Sequence, residues 1–501
     1  KYSSIYSEIR LEPLNGRECE LLLQNLLRTE LPAQLKNSVS KITEGNPFFI
    51  EEVIRSLIDD EIIEIKNGRF VLSKPIENIN IPGSIKDLLL SRIDKLEEPV
   101  KTLLKTASVI GRYFLFEILV KVTGNADETE EQINSLRKLE LITENKSPKE
   151  REYLFKHALV QEAIYETLLP KNRQELHLKV ANAVEDLFSE RLNEFYEILA
   201  YHYNLADDKD KAEKYLIKAG ERTMQAAASY EALNYFQDAL KLYLQKYGTA
   251  ADKEKIFMLE KNIGFAFYYR GYFHDSVEHF NKALQVRGVK VQKNNVTDTI
   301  KTLFNLIMLV KHLYLPARMK KIPDEKENEL FDILYKNVTA YANYDGKKMF
   351  FELVYLIRLK IAYKLAGEVG WETYSSASSL FCYSGISFHL SKKFIEKAGE
   401  SARINGIEDI YTTGYDELVY YCLSGNWKSF SGINEKLLEV NLRAGELIKV
   451  IYQICWALYM TICRGDYSYS EYLIKKGDEI NEAFDFDFGK LFVLSMKGDL
   501  S

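Results

Sequence analysis

Tyr153-Leu154-Phe155-Lys156-His157-Ala158-Leu159-Val160-Gln161-Glu162-Ala163-Ile164-Tyr165-Glu166-Thr167-Leu168 is the joint of this 501-residue chain. It opens as a strand, with Tyr153 and Phe155 alternating with Lys156. It continues as an amphipathic helix, with Leu159, Ala163, Ile164, Leu168 and Leu169 at helical spacing. His157 stands at the changeover, beside the helix N-terminus. Free backbone N–H groups and the helix dipole make that position suitable for an anion. The plainer alternative is a half-buried histidine that caps a local turn.

Before the joint, short helices mix with strand-like pieces; after it, helix follows helix. A chain of this length predicts three or more packed units. Hydrophobic residues make up 46% and charged residues 28%, the balance of a soluble globular protein. The net charge of −6 is unclustered, which argues against electrostatic capture of nucleic acid. Cys19, Cys382, Cys422, Cys455 and Cys463 are scattered, form no C-x-x-C pair and have no histidine at zinc-ligand spacing. They read as reduced thiols in helical cores, and the expected location is cytoplasmic. Residues 1–30 show no charged-then-apolar leader pattern. The apolar run Leu306–Val310 is cut by Asn305 and Lys311, so no membrane partner is expected.

From the N-terminus, Ile5–Leu14 reads as a strand. Helices follow over Gly16–Arg28 and Ala33–Lys41, and Thr43-Glu44-Gly45-Asn46-Pro47 breaks the second. Gly45 and Asn46 suit left-handed angles, and Pro47 suits the first turn of the next helix, Phe48–Asp60. Ile62–Ile65 and Arg69–Leu72 around Asn67-Gly68 predict a hairpin. Ser84, with Asp87 three residues on, caps a helix continuing through Leu88–Leu96. Further helices are expected from Pro99 to about Gly111, over Phe114–Thr123 and over Thr129–Leu139. Leu141–Thr143 and Glu152–Phe155, joined by Glu144–Arg151, then look like a two-stranded wing. Helices followed by such a wing predict a winged-helix domain.

Beyond Asn172 the pattern repeats. Ala219-Gly220, Ala232, Phe236 and Ala239 are echoed 44 residues on by Ile263-Gly264, Ser276, Phe280 and Ala283. Gly385, Gly425 and Gly465 are spaced 40 apart in short turns, and Arg464-Gly465-Asp466 is echoed by Lys497-Gly498-Asp499. Small residues at fixed offsets in periods of this length predict an α-solenoid of tetratricopeptide (TPR) kind. The stretch Leu315–Asp324, with Arg318, Lys320 and Lys321, is either a docking patch or a solvated connector.

Self-sufficient chemistry is absent from the sequence. There is no G-x-x-x-x-G-K-[ST] loop; Gly346-Lys347-Lys348 and Gly489-Lys490-Leu491 lack the upstream glycine and the hydroxyl. There is no G-x-S-x-G elbow and no metal-binding helix motif. The acidic pairs Glu51-Glu52 and Asp59-Asp60 read as a solvated helix face.

Gly45-Asn46-Pro47-Phe48-Phe49-Ile50-Glu51-Glu52 and Phe155-Lys156-His157-Ala158-Leu159-Val160 together resemble two landmarks of the signal-transducing P-loop ATPases with numerous domains, the STAND ATPases. The group it looks most like is the predicted ATPases fused to bacterial adenylate/guanylate cyclases and sensor kinases. Ser91-Arg92-Ile93-Asp94, Ala107-Ser108-Val109-Ile110-Gly111 and Leu199-Ala200-Tyr201-His202-Tyr203 support it, and it covers about the first 245 residues. The resemblance implies a mainly α protein: the end of an ATPase core over 1–14, an AAA-type helical lid with hairpin and linker helix over 15–96, and a winged-helix domain over 97–170. TPR-like repeats would fill 171–315 and 326–501, with a loop at 316–325.

The phosphate loop and magnesium-binding strand would precede Lys1, so the chain is expected to be an internal fragment that holds no nucleotide alone. In the longer protein ATP or ADP would be bound. The lid proline, here Pro47, packs against adenine in the family, and the histidine after the wing, here His157, reaches the β-phosphate of ADP. Lys156 and Ala158 replace the Met and Asp of the usual Met-His-Asp motif, so the aspartate's capping role is missing. The implied function is regulatory: nucleotide state and a protein partner on the solenoid would together switch an effector such as a nucleotide cyclase, with oligomerisation left open. The alternatives are an ATP-dependent transcriptional activator of the same class and a TPR scaffold without nucleotide.

Overall fold

The computed structural model describes residues 12–27, 33–66, 69–72, 82–145, 150–226, 228–289, 296–315, 322–361, 363, 368–404, 415–484 and 486–500. Two compact units divide the chain, Lys1–Asp208 and Lys209–Ser501. Residues 5–11 of the expected strand Ile5–Leu14, the Asn67-Gly68 turn, residues 146–149 of the wing loop and residues 316–321 of Leu315–Asp324 lie outside the described residues, and residues 12–14 are not in a strand.

In the first unit, α1 (Gly16–Leu27), α2 (Ala33–Thr43) and α3 (Pro47–Asp59) gather Cys19, Leu23, Leu27, Val39, Ile50 and Val53 into one core. The antiparallel pair β1 (Ile63–Lys66) and β2 (Arg69–Leu72) follows, in the register Ile63↔Leu72. Next come α4 (Ile85–Asp94) and α5 (Glu98–Ile110). The Ser84 hydroxyl accepts from the Asp87 N–H at 3.1 Å, as the sequence predicts.

Residues 113–155 form β3 (Tyr113–Leu115), α6 (Phe116–Thr123), α7 (Ala126–Lys138), β4 (Ile142–Asn145) and β5 (Glu152–Phe155). The expected wing hairpin β4–β5 is present, with Ile142 opposite Phe155. The sequence reading missed β3, which pairs with the other edge of β5 and gives the strand order β3-β5-β4. The expected helix from Phe114 therefore starts two residues later. Phe114 is needed in the sheet: its buried ring packs on Tyr153 and Phe155 at 6.0 and 5.7 Å. Three residues are too few for a period-2 signal. Then α8 (Ala158–Thr167), α9 (Pro170–Leu187) and α10 (Tyr196–Leu205) complete the unit.

The second unit is helical throughout its described residues: α11 (Lys209–Gln225), α12 (Ser229–Tyr247), α13 (Lys253–Tyr269), α14 (Phe273–Val286), α15 (Val296–Tyr314), α16 (Glu325–Tyr341) and α17 (Gly346–Lys360). They continue as α18 (Glu368–Tyr383), α19 (Phe388–Ile404), α20 (Tyr415–Leu423), α21 (Glu435–Arg443), α22 (Leu447–Arg464), α23 (Tyr467–Ala483) and α24 (Asp487–Leu500). The predicted tight crossings are real. A Cβ on Gly220 would stand 2.6 Å from Phe236 Cε1, and one on Gly264 2.5 Å from Phe280 Cδ1. The partner stands sixteen residues on in both helical hairpins. Gly477 and Val493 repeat that offset in α23–α24, at 2.9 Å. Glycine thus lets each helix sit against a buried ring or branched side chain of the next. The arrangement is a solenoid-like stack of helical hairpins.

Gly385, Gly425 and Gly465 all take positive φ, as their turn positions require. Gly498 does not follow its proposed echo of Gly465: it lies inside α24. The stack also departs from nearest-neighbour contact alone. One core contains Phe257 and Phe280 together with Leu447, Ile451 and Phe486, and the Phe273 ring meets Phe488 edge-on at 4.9 Å. Four cysteines are buried as expected, but Cys463 is exposed, because the last turn of α22 turns that position outward. Among the described residues, α22 alone is long and apolar enough to cross a membrane, and most of it is buried inside the unit.

Candidate functional site

The two sequence landmarks meet in the first unit. The turn before α3 is set by Glu44 and Gly45, both at positive φ (48° and 76°). A Cβ on Gly45 would sit 2.2 Å from the Leu14 carbonyl oxygen, and the Leu14 N–H donates to the Gly45 carbonyl at 2.9 Å. Asn46 is not left-handed as expected but extended (φ −75°, ψ 112°), because it is the N-cap of α3; its side chain accepts from the Phe49 N–H at 3.2 Å. Pro47 then occupies the first helical position and is exposed.

His157 is the N-cap residue of α8, yet its side chain makes no cap hydrogen bond. The ring stacks instead on Phe48, with centroids 3.8 Å apart and planes inclined by 27°. The residue is half-buried, as the plainer alternative expects, but its side chain caps no turn: the imidazole makes an aromatic contact with the first turn of α3. Its nitrogens have no hydrogen-bond partner among the described residues. Burial pushes the His157 pKa below the ordinary histidine value, and the charge of Glu52 only partly offsets this. The ring is therefore neutral at pH 7, with one N–H to donate and one nitrogen to accept.

Charges fasten α3 to its neighbours. Glu52, expected on a solvated face, is buried and pairs with Arg92 of α4, which also lies 3.4 Å from Asp59. A buried carboxylate is retained because a guanidinium meets it. Glu140, in the tight turn before β4, accepts from Arg55 of α3 at 2.5 Å and from Lys156 at 2.6 Å. Hydrogen bonds from Lys156 and then Arg55 hold the Glu140 carboxyl down at about 2. Lys86 of α4 pairs with Glu166 of α8. Phe48 lies in a landmark stretch and Arg92 in a supporting one, but spacing alone links neither to His157 or Glu52.

A second buried cluster went unread. His177 of α9 and His202 of α10 approach through their Nδ1 atoms at 2.8 Å, and His177 Nε2 lies 3.0 Å from the Tyr165 hydroxyl. Burial pushes His177 down to about 4, helped by the Arg173 charge, and His202 down to about 3, helped by His177. Two neutral rings can share one N–H···N bond, which makes this a structural joint between the two helices.

In the second unit a cavity of about 600 Å³ is lined by Tyr230, Glu231, Tyr269, Arg270 and Phe486, among others. The Arg270 guanidinium lies over the rings of Tyr230 and Tyr272, 4.7 Å from each. Among the described residues no cluster of histidine, cysteine and acidic side chains could hold a metal ion.

Comparisons with known proteins bear on these elements unevenly. A family described as a domain of unknown function (DUF8739) matches residues 17–70, which run from α1 to β2. An uncharacterized protein of Rhizobium meliloti is 24% identical over 241 residues, covering 47% of this chain and 23% of that protein. The peroxide stress-activated histidine kinase mak3 of Schizosaccharomyces pombe is 25% identical over 255 residues, covering 47% of this chain and 11% of the kinase. The chain thus spans less than a quarter of the curated relatives it matches. A solved signal transduction ATPase with numerous domains and a tetratricopeptide repeat sensor, from Pyrococcus horikoshii, aligns with 97% of this chain and 69% of its own at 14% identity and a TM-score of 0.38.

Proposed function

We propose that this chain is the regulatory and partner-binding part of a signal-transduction ATPase. Its first unit reports which nucleotide is bound, and its helical stack receives a protein partner or ligand. The observation that supports the reading is the Phe48–His157 stack, in which an imidazole with open nitrogens lies against the residue that follows exposed Pro47. These residues fit one edge of a nucleotide. Pro47 offers an apolar face to a base, and neutral His157 offers an N–H to a phosphate oxygen. The phosphates themselves need a glycine-rich loop and a cation, which this chain's sequence does not contain. Nucleotide supplies the charge that favours one arrangement of α3 against α8; the residues of this chain sense it through the ring stack and through Glu140.

Of the two effectors implied by the resemblance, a nucleotide cyclase and a sensor kinase, the kinase is favoured, because one matched relative is named a histidine kinase. The transcriptional alternative loses support from the surface of α6 and α7. Two of the three basic residues that could meet DNA there are already paired, Lys121 with Asp186 at 3.4 Å and Arg137 with Glu144 at 3.2 Å.

The test is ADP and ATP affinity of the natural full-length protein against its His157→Ala and Pro47→Ala variants. Loss of one hydrogen bond to a charged phosphate predicts roughly tenfold weaker ADP binding for His157→Ala. Unchanged ADP affinity together with unchanged basal output sinks the sensor role. The 501-residue chain alone is expected to show no ATP hydrolysis.

A further inference from the structure

Helix α15 carries an apolar seam that, among the described residues, its own unit leaves largely in water. Val310 packs on the core and Lys393 of α19 lies 4.5 Å over the Tyr314 ring, but Val296, Ile300, Leu303 and Ile307 stay exposed. Val296, Ile300, Leu303, Ile307, Val310 and Tyr314 follow one another at spacings of 4-3-4-3-4. All but half-buried Val310 are exposed, at 52% to 78%. The opposite face holds the buried Asp298, Thr302 and Leu309, which seat the helix on the core that contains α16 and α17. Single exposed apolar residues are ordinary, but a straight row of this length is not. An alternating 3-4 spacing is the pattern of a helix that pairs lengthwise with another helix.

We infer that α15 pairs antiparallel with α15 of a second copy of this chain. The seam is palindromic about Asn305, so a two-fold axis there sets Val296 against Tyr314, Ile300 against Val310 and Leu303 against Ile307. A closed two-fold contact needs just such a self-complementary patch. The opposed helix dipoles favour the antiparallel sense. With Phe304 and Leu315 beside the seam, the exposed fractions amount to on the order of 700 Å² of apolar surface, against roughly 800 Å² contributed by each partner to a standard interface. Lys311 is the sole charge on that face and can reach solvent past the seam.

The experiment is sedimentation analysis of the 501-residue chain across a micromolar dilution series. The wild type is expected to dimerise. Leu303→Glu and Ile307→Lys are each expected to loosen the dimer by roughly 100-fold, because either places a charge against an apolar partner. Both positions are exposed, and circular dichroism is expected to show the helical content intact. Mixing the two variants is expected to restore a dimer, since Leu303→Glu in one copy then faces Ile307→Lys in the other. A monomeric wild type overturns the inference, and so do a dimer that survives both substitutions and variants that fail to recombine. Sedimentation of a monomeric chain with anionic phospholipid vesicles would place the seam on a bilayer instead and also overturns the pairing.

Discussion

Gly264→Ala tests the packing rule that builds the second unit. The added methyl would lie 2.5 Å from Cδ1, 2.7 Å from Cε1 and 3.2 Å from Cγ of Phe280. That ring is fully buried and held edge-on by Phe265 at 5.2 Å, so it has no room to swing aside. Overpacking of this kind costs about 1–3 kcal/mol. Replacing a helical glycine by alanine recovers about 1 kcal/mol of helix propensity. The net expectation is a loss of about 0–2 kcal/mol, nearer the upper figure because the nearest approach is only 2.5 Å.

The series is graded by distance. Gly220→Ala should match it, Gly477→Ala should cost less because its nearest atom, a valine methyl, stands farther off at 2.9 Å, and Gly498→Ala, with nothing within 4 Å, should be neutral or stabilising. Urea unfolding followed by tryptophan fluorescence reads the right unit, since Trp371, Trp427 and Trp456 all follow Lys209. Phe280→Leu in the Gly264→Ala background should recover part of the loss by making room. If Gly264→Ala unfolds at the parent's midpoint, and Phe280→Leu merely adds its own cost, the glycine–ring crossing does not hold the hairpin together.

Other expectations follow from the site. The His177–His202 pair is neutral when folded, with both pKa values lowered, so the unfolded chain binds more protons below the ordinary histidine value. Stability of the first unit should be fully present above about pH 6.5 and fall as pH drops toward 4, by up to about 1.4 kcal/mol per pH unit per histidine. Thermal melts against pH check this, and a flat profile in His177→Gln/His202→Gln would assign the slope to the pair. Phe48→Ala should expose His157 and return its pKa toward the ordinary value, seen as an upward shift in its imidazole NMR titration; no shift refutes the desolvation account. In the second unit, Lys336 is buried and its Nζ lies 2.7 Å from Glu446. Burial works against its charge, but the Tyr268 and Tyr269 oxygens and then Glu446 outweigh it and raise the pKa. Glu446→Gln strands that cation and should cost about 3–5 kcal/mol, whereas Lys336→Met with Glu446→Gln should be milder in the same urea assay.

Local rules made much of this protein legible in its order of residues. Apolar rows at helical spacing, Ser84 before Asp87, Pro47 at a helix start and the recurring Gly-to-Phe offset all act within one or two turns or one hairpin, where sequence distance and spatial distance agree. The two landmark stretches were legible for the same reason. Only the tertiary structure decided that Phe48, rather than a backbone cap, takes the His157 ring, since those residues are joined by packing across 109 positions of chain. It also turned Glu52 from a surface acid into the buried partner of Arg92, gave Glu140 two cations from different elements, and added β3 to the sheet through three residues too short to announce themselves. The seam on α15 belongs to both levels. Its spacing is written in the sequence, but a buried core helix and a docking helix share that pattern until the structure shows which face is left in water.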